Sequence, residues 1–287
     1  MSALIPGPGV YEITADQYHS DPIPGGSLSS SGARKLLPPS CPALFKYERD
    51  NPPAPTEAMT LGSAAHRVML GAGAELKRID AKNWRTKAAQ EAKAEALDEG
   101  LIPLLPAAHD RVLAMAEALR QDPHAAALFH PGAGKPEQAL FWKDRSTGII
   151  RRALVDFLRQ AEADGRLIVP DYKTADKADE DSIRKAIRRY GYHQQGAWYA
   201  DGVKALGLAE EVPVVLVVQE TSPPYLVNCV QLNDPAMQIG RWQNAQAIGI
   251  YAECIRTGVW PGYSDRIEFS GLPDWDERRL LEEMTGR

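Results

Sequence analysis

Two short stretches place acidic and basic side chains at a spacing that could hold a cation and a water. Asp171 and Lys173 lie in the run Leu167-Ile168-Val169-Pro170-Asp171-Tyr172-Lys173-Thr174, and Asp156 lies fifteen positions before Asp171, between Val155 and Phe157. The apolar Leu167–Val169 reads as a buried strand. Side chains alternate along a strand, so Asp171 and Lys173 share a face and Tyr172 takes the other. Two carboxylates and an ammonium converging at strand ends suit a hard divalent ion, which needs few protein oxygens and keeps several waters. Such an ion polarises a phosphoryl oxygen and acidifies a bound water. Alone, an Asp-x-Lys pair is an ordinary strand-end ion pair, so its neighbours must decide.

The 287 residues allow one large α/β domain or two smaller ones. A charged fraction of 25% and an apolar fraction of 44% match an ordinary soluble globular protein. With a net charge of −5, any surface for a polyanion must be a local patch. Cys41, Cys229 and Cys254 are isolated, which disfavours a zinc ribbon or a four-thiolate cluster and fits a reducing, cytoplasmic setting. The N-terminus has no basic and apolar leader pattern. No apolar run approaches 18 residues, so no membrane partner is expected.

The elements that must position these residues follow from patterning. Residues 1–27 form an extended N-terminal segment, with Gly9–Ile13 extended. Residues 28–136 form a helical region: Leu28–Leu37 behind serine caps, Pro42–Tyr47, a loop over Asn51–Pro55, then Thr60–Leu70 with small residues along one side and His66 within it. Asn83–Leu97 is a solvated Ala/Lys/Glu helix, and Ala107–Leu119 is amphipathic. From 137 to 256 the pattern is that of a mixed-sheet α/β core. Strands are expected at Gln138–Lys143, Gly148–Arg159 and Leu167–Lys173, with hairpin-like turns between them. A single helix over Ser182–Ala205, strands at Val212–Glu220 and Tyr225–Leu232 and a helix over Met237–Arg256 follow; 257–287 is a tail. Pro170 cannot donate to a ladder, so a bend or frayed end is expected there.

The order of these pieces resembles the PD-(D/E)xK nuclease superfamily, in particular its RecB-type branch of phage-recombination exonucleases, the RecE (exonuclease VIII) type. The residues that carry the likeness are Tyr18-His19, Leu28-Ser-Ser-Ser31, Cys41-Pro42, Gly62-x-x-x-His66, Glu137, Asp156, Asp171-Tyr172-Lys173 and Gln195-x-x-x-Tyr199, across roughly 11–256. The resemblance implies a restriction-endonuclease-like fold, with a mixed β-sheet flanked by helices. Asp156, Asp171, the Tyr172 carbonyl and His66 would hold Mg²⁺ or Mn²⁺. Asp stands at Asp171 where Glu is commoner, which shortens that arm. Lys173 would orient or deprotonate the attacking water, Glu137 would serve a second ion or support the first, and Gln195 and Tyr199 would brace the site or touch the DNA backbone.

Helical spacing adds a basic stripe, Arg184 with Arg188 and Lys185 with Arg189, read on the same helix as Gln195 and Tyr199. Arg151 and Arg152 add charge on the strand leading to Asp156. Phosphate contacts of that kind predict salt-sensitive DNA binding. The expected function is a metal-dependent exonuclease acting on one strand of linear duplex DNA in phage-type recombination. A homo-oligomeric ring and a single-strand annealing partner are implied. The alternatives are a structure-specific or single-strand nuclease, against whose four-cysteine form the cysteine count stands, and a non-catalytic DNA-binding module.

Overall fold

The computed structural model describes residues 5–52 and 56–286. The first four residues of the N-terminal segment and the last three of the loop over 51–55 lie outside that range. In chain order, β1 (Gly9–Tyr11), α1 (Ala15–His19), β2 (Leu28–Ser29), α2 (Ser30–Lys35) and α3 (Pro42–Asp50) lead to α4 (Glu57–Leu70). A small layer follows, with β3 (Leu76–Arg78), α5 (Lys87–Asp98) and β4 (Ile102–Leu104), then α6 (Pro106–Gln121) and α7 (Pro123–Leu128). The hairpin β5 (Gly134–Lys143) and β6 (Ile150–Arg159) opens the α/β core. It continues with β7 (Val169–Ala175), α8 (Glu180–Tyr190), α9 (Tyr192–Ala205), β8 (Val214–Glu220), β9 (Val227–Gln231) and α10 (Asp234–Thr257), and α11 (Asp274–Thr285) follows.

The strands form two main sheets. One has the order β1-β5-β6-β2 and the other β7-β8-β9; β3 and β4 pair separately. β5 and β6 run antiparallel about a turn in which Asp144 Oδ1 accepts hydrogen bonds from the backbone and hydroxyls of Ser146 and Thr147. β7 pairs in parallel with β8, and β9 returns antiparallel to β8. A hairpin between β6 and β7 was the expectation from the turn at Glu162–Gly165, but those two strands belong to different sheets. The junction between them is where the functional side chains gather.

Pro170 lies inside β7, not at a bend. The Val169 N–H donates to Pro213 beside β8 (2.9 Å), whereas the Tyr172 N–H points the other way, to Asp156. Pro170 is in phase with Tyr172, so its nitrogen faces the open side of the sheet and no ladder bond is lost.

The single helix expected over Ser182–Ala205 is two helices. Gly191 ends α8 in the left-handed conformation (φ 70°), and a Cβ there would meet Arg34 Cδ at 2.6 Å. The basic stripe therefore lies on α8, while Gln195 and Tyr199 lie on α9. Trp198, fully buried on α9, packs edge-on against Trp142 and donates to the Arg152 carbonyl (2.9 Å), tying the helix to the β5–β6 hairpin. α10 crosses α9 closely. Asn244 donates to the Gln194 carbonyl (3.0 Å), and Gly240 lies directly on the His193 carbonyl.

That crossing yields a prediction. Alanine normally gains about 1 kcal/mol over glycine within a helix. At Gly240 the added methyl would collide with backbone that cannot rotate away, and overpacking of that kind costs about 1–3 kcal/mol or more. Gly240→Ala should therefore lower Tm by a few degrees in calorimetry; an unchanged or higher Tm would contradict the packing described.

Candidate metal and phosphodiester site

β6 alternates faces, and the turn-anchored register sets Asp156 where the hairpin meets β7. Its Oδ2 accepts the Tyr172 N–H at 2.7 Å, taking the place of the strand-to-strand bond that a continuous sheet would have there. The Tyr172 carbonyl, on the same edge, lies 3.2 Å from His66 Nε2 on α4. His66 Nδ1 lies 3.8 Å from Asp156 Oδ1. Ala64 and Ala65 are buried on α4 and let its backbone approach β7; Thr56 caps the helix through Met59 N–H.

Tyr172 itself is locked from the opposite face. Its hydroxyl donates to Gln219 Oε1 (2.6 Å), and Gln219 Nε2 donates to the Met115 carbonyl (2.8 Å). Gln219 is fully buried. Burial pushes the Tyr172 phenol well above its ordinary value. The His66 ring meets the Tyr172 ring edge-on at 5.0 Å.

Asp171 and Lys173 project together on the other face, with Lys173 Nζ 2.7 Å from Asp171 Oδ2. Asp171 Oδ1 is buried and has no hydrogen-bond partner. A polar atom so placed costs free energy unless something satisfies it. Burial, helped by the nearby Asp156 charge, pushes the Asp171 carboxyl up to about 6 against the opposing pull of Lys173 and His66. Burial pulls the Lys173 ammonium down, but the Asp171 and Asp156 carboxylates outweigh it and hold Lys173 above the ordinary lysine range.

Glu137 stands at the hairpin position opposite Asp156, in the left-handed region (φ 45°), a conformation rare for a residue with a side chain. Burial and then the Asp156 charge raise its carboxyl, with His66 and Arg67 opposing. On α9, Gln195 Nε2 donates to the Tyr199 hydroxyl (2.7 Å). The Tyr199 phenol is held well above its ordinary value by burial and then by the Asp171 and Asp156 charges. Asp156, Asp171, Tyr172, Lys173, His66 and Glu137 thus converge on one junction, while Gln195 and Tyr199 bond to each other on α9.

The arginines read on β6 do not join them. Arg151 is buried, stacked over the Trp198 and Trp142 rings (4.0 and 4.8 Å) and 3.3 Å from Asp201. Arg152 pairs with Asp21 (2.5 Å) and donates to Ser27 Oγ (2.7 Å). Both are engaged by partners inside the chain, which argues against their reading as DNA contacts. On α8, Arg184 is paired with Glu180 (2.6 Å) and Arg188 is exposed. Lys185 and Arg189 line the same cleft as Lys173.

Two residues at the site carry no motif. Gln219 was visible only as a lone polar side chain ending the apolar run Val214–Val218. Tyr192, whose ring lies 5.2 Å from Lys173 Nζ, had no mark in the sequence.

The donor set fits a hard divalent cation. Among the described residues, no cluster of three or more His, Cys, Asp or Glu side chains forms a ready cage. Mg²⁺ does not need one, because it binds one or two carboxylates and keeps waters. The partnerless Asp171 Oδ1, the Asp156 carboxylate and the Tyr172 carbonyl supply that chemistry. The 3.2 Å between His66 Nε2 and the Tyr172 oxygen suits a hydrogen bond. With a cation bound, His66 and the Tyr172 carbonyl would be the neighbouring groups to hold it, beside the Asp156 and Asp171 carboxylates.

Comparison with known proteins agrees with the fold. A crystal structure of a provisionally assigned exonuclease from Eubacterium rectale superposes with a TM-score of 0.60 at 14% identity, covering 93% of this chain and 98% of that one. That identity shows a shared fold alone. A phage related exonuclease from Haemophilus somnus 129PT matches with 11% identity over 81% of this chain and 96% of that one, but its TM-score of 0.32 carries no argument. No curated protein matches the sequence significantly. Among the described residues, no helix is long and apolar enough to cross a membrane. The model for the PDDEXK-like domain of unknown function (DUF3799) matches residues 29–272, most of the chain. The protein belongs to that family, and with it to the PD-(D/E)xK nuclease superfamily.

Proposed function

We propose that this protein is a metal-dependent deoxyribonuclease, most simply an exonuclease that degrades one strand of linear duplex DNA. The observation that carries the reading is Asp156 bonded to the Tyr172 N–H, between Asp171 and Lys173 in the chain, with Lys173 on Asp171 and one buried Asp171 oxygen left for a ligand. Mg²⁺ or Mn²⁺, when bound, would acidify a water and neutralise charge on the phosphate. His66, Asp156, Asp171 and the Tyr172 carbonyl are the proposed ligands. Glu137 lies opposite Asp156, placed to assist them.

The residues of the chain define the rest of the mechanism. Lys173 stays an ammonium, because its two carboxylate neighbours favour the charged form. It therefore serves as a donor that orients the water and stabilises developing phosphate charge, rather than as a base. Tyr172 is clamped through Gln219, so its carbonyl and N–H hold their places without movement. Gln195 holds the Tyr199 hydroxyl on α9, and that pair is the proposed support of the site from the helix side. In this reading 28–136 supplies His66 and one wall of the site, and 137–256 supplies the acidic and lysine residues. Recombination, a ring assembly and an annealing partner extend the same proposal.

Titration calorimetry with Mn²⁺ should show binding that Asp171→Asn removes and that His66→Ala weakens by about 10–100-fold. Unchanged affinity in both variants would place the ion elsewhere. Matched linear and covalently closed circular duplex DNA should then be incubated with Mg²⁺ and with EDTA. Loss of the linear form alone, and only with metal, is expected; cutting of circles would refute end dependence, and loss of neither would refute catalysis.

A further inference from the structure

Lys173 is one of the residues lining a cleft of about 920 Å³. One wall is the start of α4 with the small layer of α5, β4, the start of α6 and the loop before α5; the other is α8 and the end of β7. Six cations line it against only two carboxylates, Glu57 and Asp176, although the whole chain is acidic. Apart from Lys173 these are Lys93 and Arg111 on one wall and Lys177, Lys185 and Arg189 on the other. None of the five has an ion-pair partner among the described residues, while most other arginines on exposed helices do. Unpaired like charges held together repel, and the arrangement calls for a polyanion.

Aromatic faces are interleaved with this charge. Lys93 lies 5.1 Å from the Trp84 ring, and Arg189 lies 5.4 Å from the Tyr190 ring. Tyr190 and Tyr192 sit 5.6 Å apart and tilted by 31°, leading towards Lys173. Alternating cations and ring faces match the alternating phosphates and bases of an unpaired strand. In a duplex the bases are stacked on each other and have no free face to offer. The volume is at the upper end of enclosed ligand pockets, about 300–1,000 Å³, enough for a few nucleotides of one strand.

Resting on the nuclease reading above, we propose that this cleft receives the unpaired strand that Lys173 acts on, with Trp84 and Tyr190 as base-stacking shelves. The substrate at the chemical step is then single-stranded for several nucleotides, and a duplex end must be opened to enter. The solvated helix α5 acquires a role as the outer wall of that channel.

The test is fluorescence anisotropy of a dye-labelled twelve-nucleotide oligothymidylate on the full chain in EDTA, which reads binding without cleavage. The oligothymidylate should bind more tightly than a blunt hairpin duplex. Tyr190→Ala and Trp84→Ala should each weaken it by about tenfold, and Lys185→Glu with Arg189→Glu should flatten the salt slope. Tyr190 is about half exposed, so its variant tests the idea even if Trp84→Ala misfolds. Wild-type affinity in Tyr190→Ala, equal losses for duplex and single strand, or displacement by polyglutamate as effective as by unlabelled oligonucleotide would overturn the proposal. Because no metal is present, a protein that binds in this way but never cleaves would refute the nuclease reading and leave the cleft standing. A protein that cleaves but is indifferent to these variants would do the reverse.

Discussion

The structure depends on one hydrogen bond, from the Tyr172 backbone to the Asp156 carboxylate. In an ordinary sheet the β7 edge would pair with β6, and every peptide group there would be satisfied by backbone. Here the two sheets separate, and side chains take over those peptide groups: Asp156 accepts the N–H and His66 meets the carbonyl. A carboxylate is thereby held at a sheet edge in fixed orientation, beside a second carboxylate that burial makes reluctant to ionise. The fold spends stability at this junction, since an unpaired buried oxygen and a left-handed Glu137 both cost free energy.

Around the junction, rigidity comes from packing and charge placed elsewhere. Arg151 between two indoles and Arg152 on Asp21 fasten β6 from both faces. Gln219 fixes Tyr172 from behind, and α9 is pressed onto the hairpin through Trp198. Internal arginines of this kind explain how a strand with two adjacent guanidiniums can still lie in a core. Lys93, Arg111, Lys177, Lys185 and Arg189, which line the cleft, have no ion-pair partner among the described residues.

Much of this was legible in the residues, for reasons that differ by element. The turn chemistry between the strand candidates of 138–159 marked the β5–β6 hairpin, and the apolar run before Asp171 marked β7. Where those runs met other sheets was not legible, because ladder partners depend on contacts far apart in sequence; the expected β6–β7 hairpin failed on that point. The break at Gly191 was readable in principle, since glycine is the usual left-handed helix end, but amphipathic spacing continued past it. Arg151 and Arg152 were misassigned because charge alone does not reveal whether a tryptophan or a phosphate lies opposite. The aromatic cleft was invisible, since Trp84 and Tyr190 are over a hundred residues apart and come to line one cleft only through the fold.

The most direct test of the central claim is diffraction from a crystal soaked in Mn²⁺, recorded for its anomalous signal. The account predicts a peak within bonding distance of the Asp156 and Asp171 carboxylates and the Tyr172 carbonyl, with Lys173 beside it. A peak elsewhere, or Lys173 and Asp171 still closed on each other with no ion between the two sheets at saturating Mn²⁺, would contradict it.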